Sequence, residues 1–231
     1  VERVELPVGT ALDLSAYVTE REGYDFTGWY LSAALTQPIT SLTLEADTTV
    51  YAGWRIRNPF VDVAEKDYFY DAVLWGVENG VVKGMDETHF EPETVCTRAQ
   101  ALTFLWRANG MPQPKTTTNP FVDVDASAYY YDAVLWGVEN GIVKGMDETH
   151  FEPDTACSRA HALTFLGRAK GMPQASGTTF ADVPANAYYA QAVAWGVENG
   201  IVKGMDETHF EPDTLCQRAH AVTFLWRAYA N

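Results

Sequence analysis

Residues 75–94 read WGVENGVVKGMDETHFEPET, and nearly the same twenty residues return as WGVENGIVKGMDETHFEPDT at 136–155 and again at 195–214. Two positions vary: Val81 becomes Ile142 and Ile201, and Glu93 becomes Asp154 and Asp213. Self-similarity at a fixed period means a repeated supersecondary unit that cannot bury its apolar face alone. Cys96 and Cys157 lie 61 residues apart, Cys157 and Cys216 only 59, and the two missing residues fall in the linkers. Those linkers, MPQPKTTTNPF and MPQASGTTF, are rich in Pro, Thr and small residues. The repeats are accordingly placed at 58–112, 119–173 and 178–231, behind an unrelated leader, 1–56.

Within each repeat the pattern predicts helix, ordered loop, helix. In the first, Asp67 is expected to cap a helix with a buried stripe through Tyr68, Ala72 and Trp75 and through Phe69, Val73 and Val77. Asn79-Gly80 stops it, Gly80 suiting the left-handed C′ position. Val81-Val82 is too short for a strand and is expected to tuck between elements. The second helix opens on Thr97-Arg98-Ala99-Gln100, which fits a capping box, and ends at Gly110 and Pro112. Two such short helices cannot enclose a core, so the three copies are expected to pack as one helical body.

The leader alternates differently. Thr48–Trp54 reads as a strand, and Phe26-Thr27-Gly28-Trp29-Tyr30 as an aromatic strand interrupted by glycine, with turns at Gly9 and Gly23. A small β-rich module is expected, lacking its first strand.

Composition narrows the function classes. The 231 residues are 47% hydrophobic and 20% charged, which is the balance of a folded chain. Sixteen basic against 31 acidic residues give a net charge of −15, which argues against non-specific grip on nucleic acid or an anionic bilayer. No apolar run is long enough to span a membrane. Three cysteines cannot all pair within one chain, so no disulfide framework follows. The chain opens at Val1 without a charged, then apolar leader, and is expected to be a piece of a larger secreted protein.

Charge placement gives the leading site candidate. Arg98, Arg159 and Arg218 each take the first helical position after the cap, where a cation opposes the helix dipole. Three in register suggest a use: an arginine fork beside free helix N–H groups receives a carboxylate or phosphate. Lys83, Lys144 and Lys203, in the preceding turn, can close on the same anion. The alternative is that these cations pair with acids such as Glu91 or Asp86 and hold the loop. Trp75, Trp136 and Trp195, with tyrosines such as Tyr68, Tyr129 and Tyr188 before them, are candidates for sugar stacking; the alternative for a tryptophan on a helix stripe is burial. Gly167 stands where the other repeats carry Trp106 and Trp226, so the three clefts need not be equivalent. His150, Cys157 and His161, repeated as His209, Cys216 and His220, have no zinc spacing; buried thiols and loop-orienting histidines are expected, with no metal or cofactor. The acidic loops lack the EF-hand glycine and terminal glutamate, and no nucleophile elbow, phosphate loop or dinucleotide fingerprint is present. Threefold copying suits multivalent binding better than one catalytic centre.

The motifs Phe60-Val61-Asp62-Val63, Phe121-Val122-Asp123-Val124 and Phe180-Ala181-Asp182-Val183, followed by GVVKGMDETHFEP and the arginine signature, resemble S-layer homology domains. The resemblance implies an all-α, pseudo-threefold body of three helix–loop–helix repeats around a central three-helix bundle, with grooves between repeats. It implies non-covalent anchoring of a surface protein to the bacterial cell wall, outside the cell, through a secondary cell-wall polysaccharide attached to peptidoglycan and commonly carrying a pyruvate ketal. Carried over, the arginines that meet the acid group are Arg98, Arg159 and Arg218, and the turns contribute Lys83-Gly84, Lys144-Gly145 and Lys203-Gly204. The chain departs from the pattern at Gln100, His161 and His220, in place of the signature glutamate, and at Ser158 and Gln217, in place of its threonine. The runner-up reading is a protein–protein module that assembles a surface array with neighbouring surface proteins. The leader, through Gly23-Tyr24-x-Phe26-x-Gly28-Trp29-Tyr30 and Val50–Trp54, is similar to Listeria/Bacteroides-type repeats related to the internalin B-repeat, a β-grasp-like stalk module.

Overall fold

The computed structural model describes residues 3–177 and 180–230; the expected start of the third repeat at 178, and the two chain ends, lie outside them. The chain divides into two compact units, Val1–Asn58 and Pro59–Asn231.

The first unit is β-rich. Strands β1 (Ala11–Asp13) and β4 (Ser41–Thr43) form an antiparallel pair, and β2 (Tyr24–Tyr30) is flanked by β3 (Pro38–Ile39) and β5 (Tyr51–Ile56) in a three-stranded antiparallel sheet. A 3-10 turn, Leu14–Ala16, buries Leu14. The β2–β5 register slips between Phe26 and Gly28, where Gly28 has φ +125°, as a bulge requires. Gly53 sits under Tyr30, and a Cβ there would run into its ring. Phe26 packs edge-on against Trp29 and Trp54, with ring centroids 5.5 and 5.6 Å apart.

The second unit holds six helices: α1 (Tyr70–Glu78), α2 (Arg98–Ala108), α3 (Tyr131–Glu139), α4 (Arg159–Ala169), α5 (Ala190–Glu198) and α6 (Arg218–Tyr229). No described helix is long and apolar enough to cross a membrane. The helix signals divide sharply. Thr97 accepts from the Gln100 N–H while the Gln100 side chain accepts from the Thr97 N–H, completing the capping box. Ser158 accepts from the His161 N–H, and the Gln217 N–H donates to His220 Nδ1 at 3.4 Å. Gly80 has φ +67°, and Val81 and Val82 are fully buried. Asp67 does not cap α1. Its carboxylate accepts from the Ala64 N–H, α1 begins three residues later without a side-chain cap, and Tyr68 is left outside the helix, largely exposed.

The helices pair across repeats. α1 packs on α6, α3 on α2, and α5 on α4, so each first helix lies against the second helix of another repeat; α2, α4 and α6 also touch one another. Gly76 makes the first pairing close: a Cβ there would stand 2.7 Å from Val82 Cγ2 and 3.0 Å from Val222 Cγ2. Beside the caps, backbone bonds run from the Cys157 N–H to the Cys96 carbonyl, from Cys216 to Cys157, and from Cys96 to Cys216, each 2.8–2.9 Å. The three thiols are fully buried.

Candidate functional site

Asp62, the acid of the first Phe-x-Asp-Val motif, accepts from the N–H groups of Phe90 and Glu91 at 2.9 and 2.7 Å. This fixes the direction of the Phe90 carbonyl, which accepts from Arg218 Nε at 2.8 Å. Asp123 and Asp182 do the same for Phe151 and Phe210, whose carbonyls accept from Arg98 Nε and Arg159 Nε at 3.0 and 3.1 Å. Each repeat thus grips the arginine of another: the first grips that of the third, the second that of the first, and the third that of the second.

The guanidinium groups are buried, with the three residues 2–3% exposed. Each lies over two phenylalanine rings: Arg218 is 4.5 Å from the Phe90 centroid and 5.5 Å from that of Phe104, and Arg159 is 4.6 Å from Phe210 and 6.0 Å from Phe224. Burial disfavours their charge and lowers their pKa. Among the described residues no carboxylate forms an ion pair with them. The expectation of pairing with Glu91 or Asp86 is therefore replaced by carbonyl and ring contacts. The helix-end N–H groups, expected to be free for an anion, are not: Arg98 and Ala99 donate theirs to the carbonyls of Thr155 and Pro153, with the same arrangement in the other repeats.

What remains open is one corner of the guanidinium. Arg159 donates Nη2 to the Lys203 carbonyl at 2.9 Å, while Nη1 makes no hydrogen bond within the described chain. Arg159 lines a groove of about 230 Å³ with Tyr68, Lys203, Gly204, His220, Thr223 and Arg227. All three repeats contribute to this wall, and no acid belongs to it. Tyr68 stacks on His220 with centroids 6.2 Å apart. Burial, then the nearby Arg159, holds the His220 imidazole below its ordinary pKa.

The other predicted site residues divide. Lys83, Lys144 and Lys203 are exposed, and the backbone carbonyls of Lys83 and Lys203 hold Arg218 and Arg159. Gly84, Gly145 and Gly204 have a packing reason: a Cβ at Gly84 would run into the Asp86 carbonyl and the Phe60 ring, with the same conflict at the other two. The tryptophans are corrected. Trp136 and Trp195 are buried in the core and Trp75 is half-buried against it, because their helix face turns inward. The exposed aromatic of the groove is Tyr68, outside the helix, with the buried Phe224 behind it. Gly167 faces Ala192 of α5, 3.1 Å from where its Cβ would be. Thr223 and Arg227 were missed, being ordinary residues of an apolar helix whose only signal is their recurrence as Thr103-Arg107 and Thr164-Arg168. His89, His150 and His209 lie beside Asp86, Asp147 and Asp206 in exposed turns, where hydrogen bonds from Thr and His hold the aspartates down to about 2. Among the described residues no group of three His, Cys, Asp or Glu is suited to a metal.

The helical unit matches the S-layer homology domain in three segments, 59–102, 120–163 and 179–222. The chain belongs to the S-layer homology domain family. Residues 4–53 match the Listeria-Bacteroides repeat domain. This S-layer homology chain is 31% identical over 163 residues to the surface-layer 125 kDa protein of Lysinibacillus sphaericus, covering 68% of the chain and 14% of that protein. It is 29% identical over 181 residues to the S-layer protein sap of Bacillus anthracis, covering 72% and 20%. An amylopullulanase of Thermoanaerobacterium thermosulfurigenes matches at 25% over 183 residues, covering 76% of the chain and 10% of the enzyme. The chain thus spans a fifth or less of these relatives. S-layer homology repeats place it outside the cell, at the cell wall or S-layer, as an anchoring segment of a surface protein.

Proposed function

We propose that the chain anchors its parent protein by binding an acidic, pyruvylated secondary cell-wall polysaccharide in the grooves between repeats, with α2, α4 and α6 as the central bundle of a pseudo-threefold body. The carrying observation is a buried guanidinium, unpaired by any carboxylate, beside a groove that also holds Lys203, His220 and Arg227 in a chain of net charge −15. A buried cation without a counter-charge is costly, and an acid group at its open corner relieves that cost. The polymer's acid meets the guanidinium, the exposed Lys203 adds charge, and Tyr68 offers a ring to a sugar face. This is recognition without turnover. Weak single contacts on a repetitive polymer combine through effective concentration. The β-grasp-like leader serves as a spacer.

The test is sedimentation with wall sacculi, intact or stripped of polysaccharide. Binding is expected only to intact walls, and should be lost when Lys83, Lys144 and Lys203 are changed together to Gln, or Tyr68, Tyr129 and Tyr188 to Ala, with helix content unchanged. Equal binding to stripped walls refutes the reading. Concentration-dependent oligomers without wall binding would point to array assembly instead.

A further inference from the structure

The residues lining the Arg159 groove have counterparts around Arg218 and Arg98, with Gln100 in place of a histidine at Arg218, and the three sets are not equally hydrogen-bonded. In the first, Arg159 Nη2 donates to the Lys203 carbonyl, His220 Nδ1 accepts from the Gln217 N–H, and the Thr223 hydroxyl donates to the Ala219 carbonyl at 2.7 Å. In the second, Arg218 Nη2 donates to the Lys83 carbonyl at 2.8 Å, Gln100 Oε1 accepts from the Thr97 N–H, and the Thr103 hydroxyl donates to the Ala99 carbonyl at 2.7 Å. In the third, all three equivalents stand alone. Arg98 Nη2, His161 Nδ1 and Thr164 Oγ1 are buried without a hydrogen-bond partner, and no other side-chain atom among the described residues shares that condition.

These atoms lie together. His161 and Thr164 are three residues apart on α4 and share a face. The Arg98 charge acts on the His161 imidazole, and Tyr188 stacks on that imidazole with centroids 6.1 Å apart. Both Arg98 and Thr164 are at least 98% buried. Most buried polar atoms in native chains are paired, so three orphans in one place point to a ligand that would pair them. Their chemistry describes it: a charged N–H donor, a hydroxyl able to donate or accept, and an imidazole nitrogen whose role follows its tautomer. A carboxylate with a neighbouring sugar or ketal oxygen satisfies all three.

We infer that the Arg98 groove is the principal acidic-sugar site of this chain, loaded before the Arg159 and Arg218 grooves, with Thr164 and His161 as its specificity residues. The inference rests on the polysaccharide reading above. Tyr188, 55% exposed, stacks on His161 beside these atoms and offers its ring to the same sugar.

The test is calorimetric titration of the full chain with a methyl glycoside bearing a pyruvate ketal, the ketal-free glycoside serving as control. Thr164→Val, Thr103→Val and Thr223→Val are compared. Thr164→Val should weaken the tightest site about tenfold, and the other two by less than about twofold. Melting temperature provides the second readout. Thr103→Val and Thr223→Val each lose a hydrogen bond and should melt lower, whereas Thr164→Val removes an unpaired hydroxyl and should melt at or above the parent. Unchanged affinity in Thr164→Val, equal losses in all three, or a lowered melting temperature for Thr164→Val overturns the ranking of grooves. Failure of the parent chain to bind the ketal glycoside rejects the polysaccharide reading, and this inference with it.

Discussion

Replacing Arg218 by Met keeps much of the packing of the side-chain stem and removes the charge and its donors. Two bonds are lost, to the carbonyls of Phe90 and Lys83, both 2.8 Å. Hydrogen bonds to charged groups contribute about 1.5–3 kcal/mol each, and removing the buried charge offsets part of that loss. Arg98→Met supplies the internal control. Arg98 carries the same burial and the same pair of phenylalanine contacts but only one bond, to the Phe151 carbonyl at 3.0 Å, with Nη2 unpaired. Desolvation and ring terms therefore cancel in the comparison, and Arg218→Met should be more destabilising than Arg98→Met by about 1.5–3 kcal/mol. At about 2–4 °C per kcal/mol for a unit of this size, the melting temperatures should separate by roughly 3–12 °C. Ellipticity at the helix band reports this unit, since all six α-helices belong to it. Equal melting temperatures, or a lower one for Arg98→Met, would refute the reasoning that Nη2 bonds distinguish the two joints.

Further outcomes follow from the same geometry. His161 and His220 are held below their ordinary value of 6.5 by burial and by the adjacent arginines, with Asp213 opposing this at His161. A bound anion raises both, so binding takes up protons, and retention on intact walls should strengthen severalfold from about pH 8 to about pH 5. His161→Gln with His220→Gln should flatten that profile; a flat profile in the parent chain would exclude the imidazoles from the groove chemistry. The unliganded fold moves oppositely: a depressed histidine contributes stability that is full above 6.5 and is lost as pH falls through the lowered value, which urea titrations across that window will show. Gly84→Ala forces a Cβ against the Asp86 carbonyl and the Phe60 ring and should cost about 1–3 kcal/mol in urea melts, whereas Ala at the uncrowded surface position Glu87 should not. Burial pushes the Cys96 and Cys157 thiols up to about 12 and raises Cys216 strongly, so a disulfide reagent should label the cysteines only as fast as the unit unfolds. Immediate labelling in native buffer would contradict the buried ring of cysteines.

What could be read from the sequence was what neighbouring residues decide. Thr97 and Gln100 meet within one helical turn, and Gly80 stops α1 by its own backbone freedom. The recurrence of one segment implied a shared body. What escaped the sequence depended on contacts between repeats. Arg218 bonds to Phe90 across 128 residues and Arg98 to Phe151 across 53, and no local pattern names the receiving repeat. The helix-end N–H groups looked free because their acceptors, such as the carbonyls of Thr155 and Pro153, come from another repeat. Asp67 misled for a related reason: its carboxylate serves Ala64 in the preceding turn, so the helix starts later and Tyr68 stands at the groove in place of Trp75.

The closing of Arg218 onto Phe90 also fixes copy number. An open solenoid grows or shrinks by whole units, because its end faces are capped and its joints are alike. Here the third repeat's arginine returns to the first repeat's carbonyl, so a change in copy number would require every joint to re-form at a different angle. Within such a closed set the copies still diverge residue by residue, as Gly167 against Trp106 and Trp226 shows.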